Sequence, residues 1–305
     1  MIEGALPPIA PPREANPGGR IVWLASFPKS GNTWTRILLA NFLGELEQPE
    51  ETDDPIAAVG QISSDRSAFD NITGICSGDL TVAETDLLRP LVYRECARST
   101  PRAHFFVKVH DAWQRNRAGE GLFPADCSRG AILLVRHPMD VCLSFAFHRG
   151  QADCTQTAHH MSRPNFSIGR RSHAQIPQQT LGWSGHYLSW TRQTEIPLLV
   201  VRYEDLLADT VTVFARMLTF LKIEGADDRE RVARAVELSR FDRLREREDR
   251  AGFRETAPTA ERFFRSGRSG EGIESLPAEL RDKLWHDHAA VMEELGYSKS
   301  GVIRL

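Results

Sequence analysis

The sequence predicts an α/β fold: a single domain with a central, mostly parallel sheet flanked by helices. Two observations carry this. Short apolar runs recur along the chain, at Ile21–Ala25, His104–Val109, Ala131–Arg136 and Pro197–Val201. After the first and third, a polar loop leads into apolar residues at helical spacing. The size fits as well: 305 residues with 41% hydrophobic and 26% charged side chains support one substantial core.

The first unit, IVWLASFPKSGNTWTR, reads as strand, loop and helix. The loop holds Pro28, Lys29, Ser30 and Gly31, and Trp34, Ile37, Leu38 and Phe42 then recur on one helix face. Backbone N–H groups and a lysine gathered at a helix start suit a phosphate. The loop lacks the GK[ST] ending of common triphosphatases, because the lysine precedes the glycine. A plain structural connection stands as the alternative.

Further along, Glu45–Asp54 reads as an acidic loop, and Ile56–Asp79 as an irregular segment across the mouth of a site. A helix is expected from Thr81 to Ala97, interrupted or redirected by Pro90. The strand at His104–Val109 ends at Lys108, His110 and Asp111. AILLVR forms the next strand, and HPMDVCLSFAFHR turns through Pro138 into a helix. Gln151–Gln179, rich in His, Ser and Gln, reads as a mobile substrate flap. Helices are expected at Leu181–Thr194, Thr210–Leu221 and Asp227–Leu238. A last one starts at Pro277, runs through Leu295 and stops at Gly296.

Composition excludes some classes. A formal charge of −3 argues against wrapping nucleic acid by bulk electrostatics. The Arg229–Arg250 stretch is interleaved with acids and reads as a solvated helix face. No apolar run is long enough to span a bilayer. The first twenty residues read as a Pro- and Gly-rich flexible tail without a targeting core, ahead of a domain at 21–305. Five dispersed cysteines fit a reducing compartment rather than a disulfide framework. A cytoplasmic location is therefore expected.

Placed at successive strand ends, these residues suggest one anionic site at the carboxyl edge of the sheet. Lys29, Ser30, Gly31, Asn32 and Thr33 can contact a phosphate. Lys108 can neutralise a transferring anionic group, and His110 can accept an alcohol or phenol proton. Arg136 with Ser144, eight positions on, can hold a second phosphate. Each residue has an ordinary alternative: a satisfied structural histidine, an exposed lysine, an arginine paired to an acid, a serine bonded within its helix. Asp111 suits either orientation of His110 or a surface role.

From about residue 21 onward the chain resembles the sulfotransferases that use 3′-phosphoadenosine 5′-phosphosulfate (PAPS). SFPKSGNTWTR resembles their 5′-phosphosulfate loop YPKSGTTW, VRHPMDVCLS their 3′-phosphate motif, and KVH their KTH segment. LGWSGHYLSW followed by LLVVRYEDL, LSRFDRL, and FFRSGRSGEG against FxRKGxxG extend the match. The resemblance implies a P-loop nucleotide-transferase-like fold with PAPS as donor and 3′-phosphoadenosine 5′-phosphate (PAP) as product, and no metal requirement. It implies His110 as general base, and Lys29 and Lys108 as stabilisers of the charge moving to the leaving nucleotide. Trp34, Tyr203, Ser239 and Phe241 would lie on the adenine side. Arg136, Ser144, Arg265, Ser266 and Gly267 would lie around the 3′ phosphate. Ser266 stands where the family has lysine, a lost charge unless Arg268 reaches inward. The acceptor would be a hydroxyl of a small molecule, such as a phenol, glycan or polar metabolite, walled by 56–79 and 151–179. His148, His159, His160 and His173 could enter that region. The alternatives are a divergent ATP-dependent kinase and a non-enzymatic nucleotide-binding scaffold. Without the family's KxxxTVxxxE dimer motif, monomer and dimer stay equally open.

Overall fold

The computed structural model describes residues 15–16, 18–44, 56, 59, 61–170 and 172–301. Most of the expected tail and the acidic loop at Glu45–Asp54 lie outside these residues. The elements run β1 (Ile21–Ser26), α1 (Asn32–Leu43), β2 (Gln61–Ile62), α2 (Arg66–Thr73), α3 (Val82–Ser99), β3 (Phe105–Val109), β4 (Ser128–Val135), α4 (Pro138–His148) and α5 (Thr155–Ser162). There follow β5 (Ser167–Ile168), β6 (Gln178–Gln179), α6 (Gly182–Arg192), β7 (Leu198–Arg202), α7 (Tyr203–Ala208), α8 (Thr210–Phe220), α9 (Arg229–Leu238), α10 (Phe241–Ala251), α11 (Glu271–Ser275) and α12 (Ala278–Glu294).

Five strands form one sheet in the order β2-β3-β1-β4-β7, and every pairing in it is parallel. β1 is central and buried along its whole length, as IVWLAS requires of a strand covered on both faces. Its side chains alternate between two cores. Ile21, Trp23 and Ala25 join Tyr93, Phe123, Trp183, Trp190 and Met292 on one face. Val22 and Leu24 join Leu38, Phe42, Ile132, Phe214 and Met217 on the other. Because the strands are parallel, the residues just past β1, β3, β4 and β7 meet along a single edge. Lys29, His110, Arg136 and Tyr203 all lie there.

Three expectations are corrected. Pro90 neither ends nor interrupts α3, which runs unbroken through Ser99. The carbonyl that loses its helical donor is that of Asp86, and Asn116 Nδ2 donates to it at 3.4 Å. A capping box of Thr81 and Glu84 starts the same helix. The segment 151–179 is not irregular: it carries α5, with Ala158 and Met161 fully buried, and the antiparallel ribbon β5–β6. Likewise 61–79 holds β2, α2 and a 3-10 turn. The last helix is one residue shorter at each end than expected, with Pro277 and Leu295 as its caps and Gly296 at φ 74° behind it. Among the described residues no helix is long and apolar enough to cross a membrane.

The short α11 lies backbone to backbone on α4. A Cβ added to Gly272 would sit 2.2 Å from the carbonyl carbon and oxygen of Met139. Gly272→Ala is therefore expected to destabilise by about 1–3 kcal/mol, read as a lowered urea midpoint. An unchanged midpoint would show that the helices separate freely.

Candidate active site

A cavity of about 360 Å³ opens at the carboxyl edge of the sheet. Its wall includes Lys29, Gly31, Asn32, Thr33, Trp34, Lys108, His110, Arg136, Ser144, Tyr203, Phe241, Arg265, Ser266 and Gly267. The structure thus brings together residues from four strand ends and a late loop. Two of the candidates, Ser30 and Ser239, are fully buried and lie off the wall. Ser239 acts instead through its carbonyl, which accepts from Trp34 Nε1 at 2.9 Å, while its hydroxyl donates to Ala235 O.

The loop after β1 is tightly shaped. Lys29 has φ 71° and Gly31 φ 100°, and a Cβ on Gly31 would lie 2.7 Å from the Tyr203 ring. No side chain caps α1, so its first N–H groups remain available at the cavity. Asn32 is occupied otherwise: its amide donates to Leu24 O at 2.7 Å and to Ser26 Oγ at 3.2 Å, tying the loop to β1. Trp34 meets Tyr203 edge-on, with ring centroids 5.9 Å apart.

His110 is fixed by β1. Its Nδ1 lies 2.8 Å from Ser26 O, and a carbonyl only accepts. Nδ1 therefore carries the proton, and Nε2 is left with its lone pair. Burial, then Lys108, holds the imidazole well below its usual value, so it is neutral at pH 7. Asp111 takes neither expected role. It is fully buried and paired with Arg89, whose Nη1 and Nη2 lie 3.0 and 2.6 Å from its two oxygens.

Cationic side chains share the wall with this histidine. Burial, then repulsion from Lys108, lowers Lys29 to about 8. Its ammonium lies 4.3 Å from the Phe263 ring centroid. Burial also lowers Lys108, with Glu255 opposing. Arg136 stacks 4.4 Å over Tyr203 and donates to Arg268 O at 2.8 Å, while its buried Nε has no partner. Arg265, Ser266 and Arg268 all contact Glu271. Arg268 does not replace the missing lysine, since its side chain is 66% exposed.

Sequence reasoning missed Glu255 and the Phe263–Phe264 pair, all on the wall. Glu255 accepts from Thr33 Oγ1 at 2.7 Å, Arg36 Nη2 at 2.5 Å and Lys108 Nζ at 3.2 Å. The Thr33 hydroxyl proton is thus already engaged. Burial raises the Glu255 carboxyl, but Lys108 and Arg36 outweigh it and hold it well below the usual range. His148, lowered to about 4 by burial and then by Lys29, is the one histidine of the four expected near the acceptor that reaches this wall. Its position one turn beyond Ser144 puts both on the same face of α4. Among the described residues, no group of three or more His, Cys, Asp or Glu side chains is placed to hold a metal ion.

A parallel α/β sheet with a cationic cleft at its carboxyl edge defines an α/β protein built to bind an anionic ligand. Within that class the family is specific: the model of the sulfotransferase domain matches residues 127–296, more than half of the chain, and the chain belongs to that family. It is a sulfotransferase. The match contains Arg136, Ser144, Tyr203 and Glu255, whereas Lys29 and His110 lie outside it. No curated protein matches the chain. Among solved structures, it is similar to retinol dehydratase in complex with androsterone and the inactive cofactor PAP. There the TM-score is 0.57 and identity 20%, over 90% of this chain and 80% of that one. Retinol dehydratase with retinol and PAP gives 0.56 and 20%, over 90% and 81%. Mouse sulfotransferase SULT7A1 with PAP gives 0.55 and 16%, over 90% and 85%. At these identities the likeness is one of fold.

Proposed function

We propose that this sulfotransferase moves a sulfuryl group from PAPS to a hydroxyl of a small-molecule acceptor, with His110 as general base. The observation that carries the reading is the tautomer of His110. Its Nδ1–H is held by Ser26 O, and the ring stands in a cavity with Lys29 and Lys108. The donor fits the chemistry present: four cationic side chains on the wall, an uncapped helix start, and the unpartnered Nε of Arg136. The three solved structures described above hold PAP.

When bound, the donor supplies an activated sulfuryl group on the 5′ phosphate. The loop at 28–33 acts as a phosphate loop, in the manner of a P-loop nucleotide transferase. Lys29 and the first N–H groups of α1 hold the leaving phosphate. Ser30 shapes that loop from behind, and Asn32, on the wall, ties it to β1. Trp34, Tyr203 and Phe241 receive the adenine, with Ser239 holding Trp34. Arg136, Ser144, Arg265, Ser266 and Gly267 face the 3′ phosphate. His110 Nε2 takes the acceptor proton as the new O–S bond forms and the S–O bond to the leaving phosphate breaks. Lys108 and Lys29 stabilise the charge that moves onto the leaving oxygen.

The acceptor stands against Phe145, His148, Ile168, Gly169, Gln175 and Phe263, so the segment 151–179 supplies one of its walls. The relatives' complexes with retinol and androsterone favour a small molecule. The five described cysteines are all free, in keeping with a cytoplasmic enzyme.

Calorimetry tests the donor side. Arg136→Ala is expected to weaken PAP binding about 10–100-fold, the range for a charge-assisted contact of 1.5–3 kcal/mol. AMP, which lacks the 3′ phosphate, is expected to lose little. Equal losses for both nucleotides would assign Arg136 to general pocket structure. A parent chain that prefers ATP with magnesium would turn the reading toward a kinase.

A further inference from the structure

Glu255 is the one acidic side chain on the described cavity wall, and it stands among cations. It comes from the stretch between α10 and α11, where no element or motif marks it. Its place is nonetheless fixed. Arg36, on α1, is fully buried, and its Nε and Nη1 have no partner. The Glu255 carboxylate, 2.5 Å from Arg36 Nη2, is the counter-charge for that guanidinium. Stripping a buried arginine of its partner is strongly destabilising, so the carboxylate is anchored rather than free to swing. From that anchored position it also reaches Lys108 at 3.2 Å and accepts a hydrogen bond from the Thr33 hydroxyl.

We propose that Glu255 is a positioning residue of the transfer site, a fixed counter-charge that keeps Lys108 and Lys29 in the cavity as cations. This rests on the sulfuryl-transfer reading above. Lys108 is faced by Glu255 and Arg254 from the late loop, by Arg36 from α1, by Lys29 from the loop after β1, by His110 beyond β3 and by His148 from α4. Lys29 is faced by Lys108, Glu255, Arg136, Arg265 and His148. Of these only Glu255 is negative. Burial and mutual repulsion drive both lysines toward their neutral forms, and Glu255 alone among these neighbours opposes that. Neutral lysines could neither hold the leaving phosphate nor stabilise its developing charge. The same carboxylate joins the late loop to α1, and so brings Phe263 and Arg265 over the site at the same time as it sets the lysines.

The sign is fixed by this arrangement. Removing the negative charge lowers the lysine pKa values, so the cationic site fails at lower pH. PAP binding followed calorimetrically from about pH 6 to 9 reads this without an acceptor. In the parent chain, affinity holds until about pH 8, where Lys29 loses its proton. In Glu255→Gln the decline starts about one unit lower, a tenfold change in proton concentration. Glu255→Asp keeps the charge and follows the parent profile. A Glu255→Gln profile with the parent's onset overturns the proposal, whether binding is weaker throughout (a structural brace) or tighter throughout (a competitor for the phosphate).

Because Glu255→Gln leaves Arg36 unpaired and can fail to fold, the parent chain carries a second arm. Proton uptake on binding PAP, measured in buffers of different ionisation enthalpy, is expected to be small at about pH 7, since the lysines are already charged. Uptake of about one proton there that persists in His148→Asn would show that Glu255 does not hold them charged, and would overturn the proposal. A parent chain that does not bind PAP at any pH contradicts the sulfuryl-transfer reading instead, which separates the two failures.

Discussion

His110→Ala is expected to lower sulfuryl transfer by about 10²–10⁴-fold, the usual contribution of a positioned general base, while PAP affinity changes little. The split follows from the geometry. The imidazole is held by Ser26 O, not by any of the cationic side chains proposed for the phosphates. Its burial beside Lys108 keeps it neutral and ready to accept a proton across the physiological range. His110→Gln, which can still donate to Ser26 O, is expected to be as inactive as the alanine variant, because an amide is no base. The assay is transfer of labelled sulfate from PAPS to a panel of phenols and alcohols, beside calorimetry with PAP. Turnover retained within about tenfold would remove His110 from the chemistry.

The second large effect is on stability. Arg89→Met is expected to cost about 3–5 kcal/mol, because it leaves Asp111 fully buried without its counter-charge. The loss would also reach the site. Asp111 follows His110, its Oδ1 accepts from Gln179 N at 3.1 Å, and its carbonyl accepts from Trp190 Nε1 at 3.0 Å. A shift of His110 by about 1 Å would lower turnover on the order of 10²-fold. Arg89→Met with Asp111→Leu removes both charges and is expected to recover part of the stability but not the activity. Denaturant unfolding of the single and double variants checks this. A single variant losing under about 1 kcal/mol would mean that Asp111 finds water or another donor.

How much of this was legible depends on what the sequence encodes locally. Ile21–Ser26, Phe105–Val109, Ser128–Val135 and Leu198–Arg202 are apolar runs that a buried parallel strand demands, and each was readable. The residues at their carboxyl ends followed, since parallel pairing forces them to one edge. The helix α5 was hidden because eight residues bury only Thr157, Ala158 and Met161, too few for a visible period. Pro90 misled because its rescue comes from Asn116, well outside its helix. Ser30 and Ser239 look like ligand contacts in a motif, yet packing places both fully below the surface. Glu255 had no signal at all: its partners Thr33 and Arg36 are 222 and 219 residues away, and nothing in the polar loop around it is periodic.

That separation has a consequence for how the chain is made. During synthesis the amino-terminal unit leaves the ribosome long before the segment that carries Glu255. Until then Arg36 lacks its counter-charge, and the cleft lacks the Phe263–Phe264 side of its wall. The central strand β1 must also wait for partners in β3 and β4. Such late, non-local closure is slow and leaves apolar surface uncovered meanwhile. The cleft is thus complete only once the segment that carries Glu255, Phe263 and Phe264 has been made and has closed onto α1.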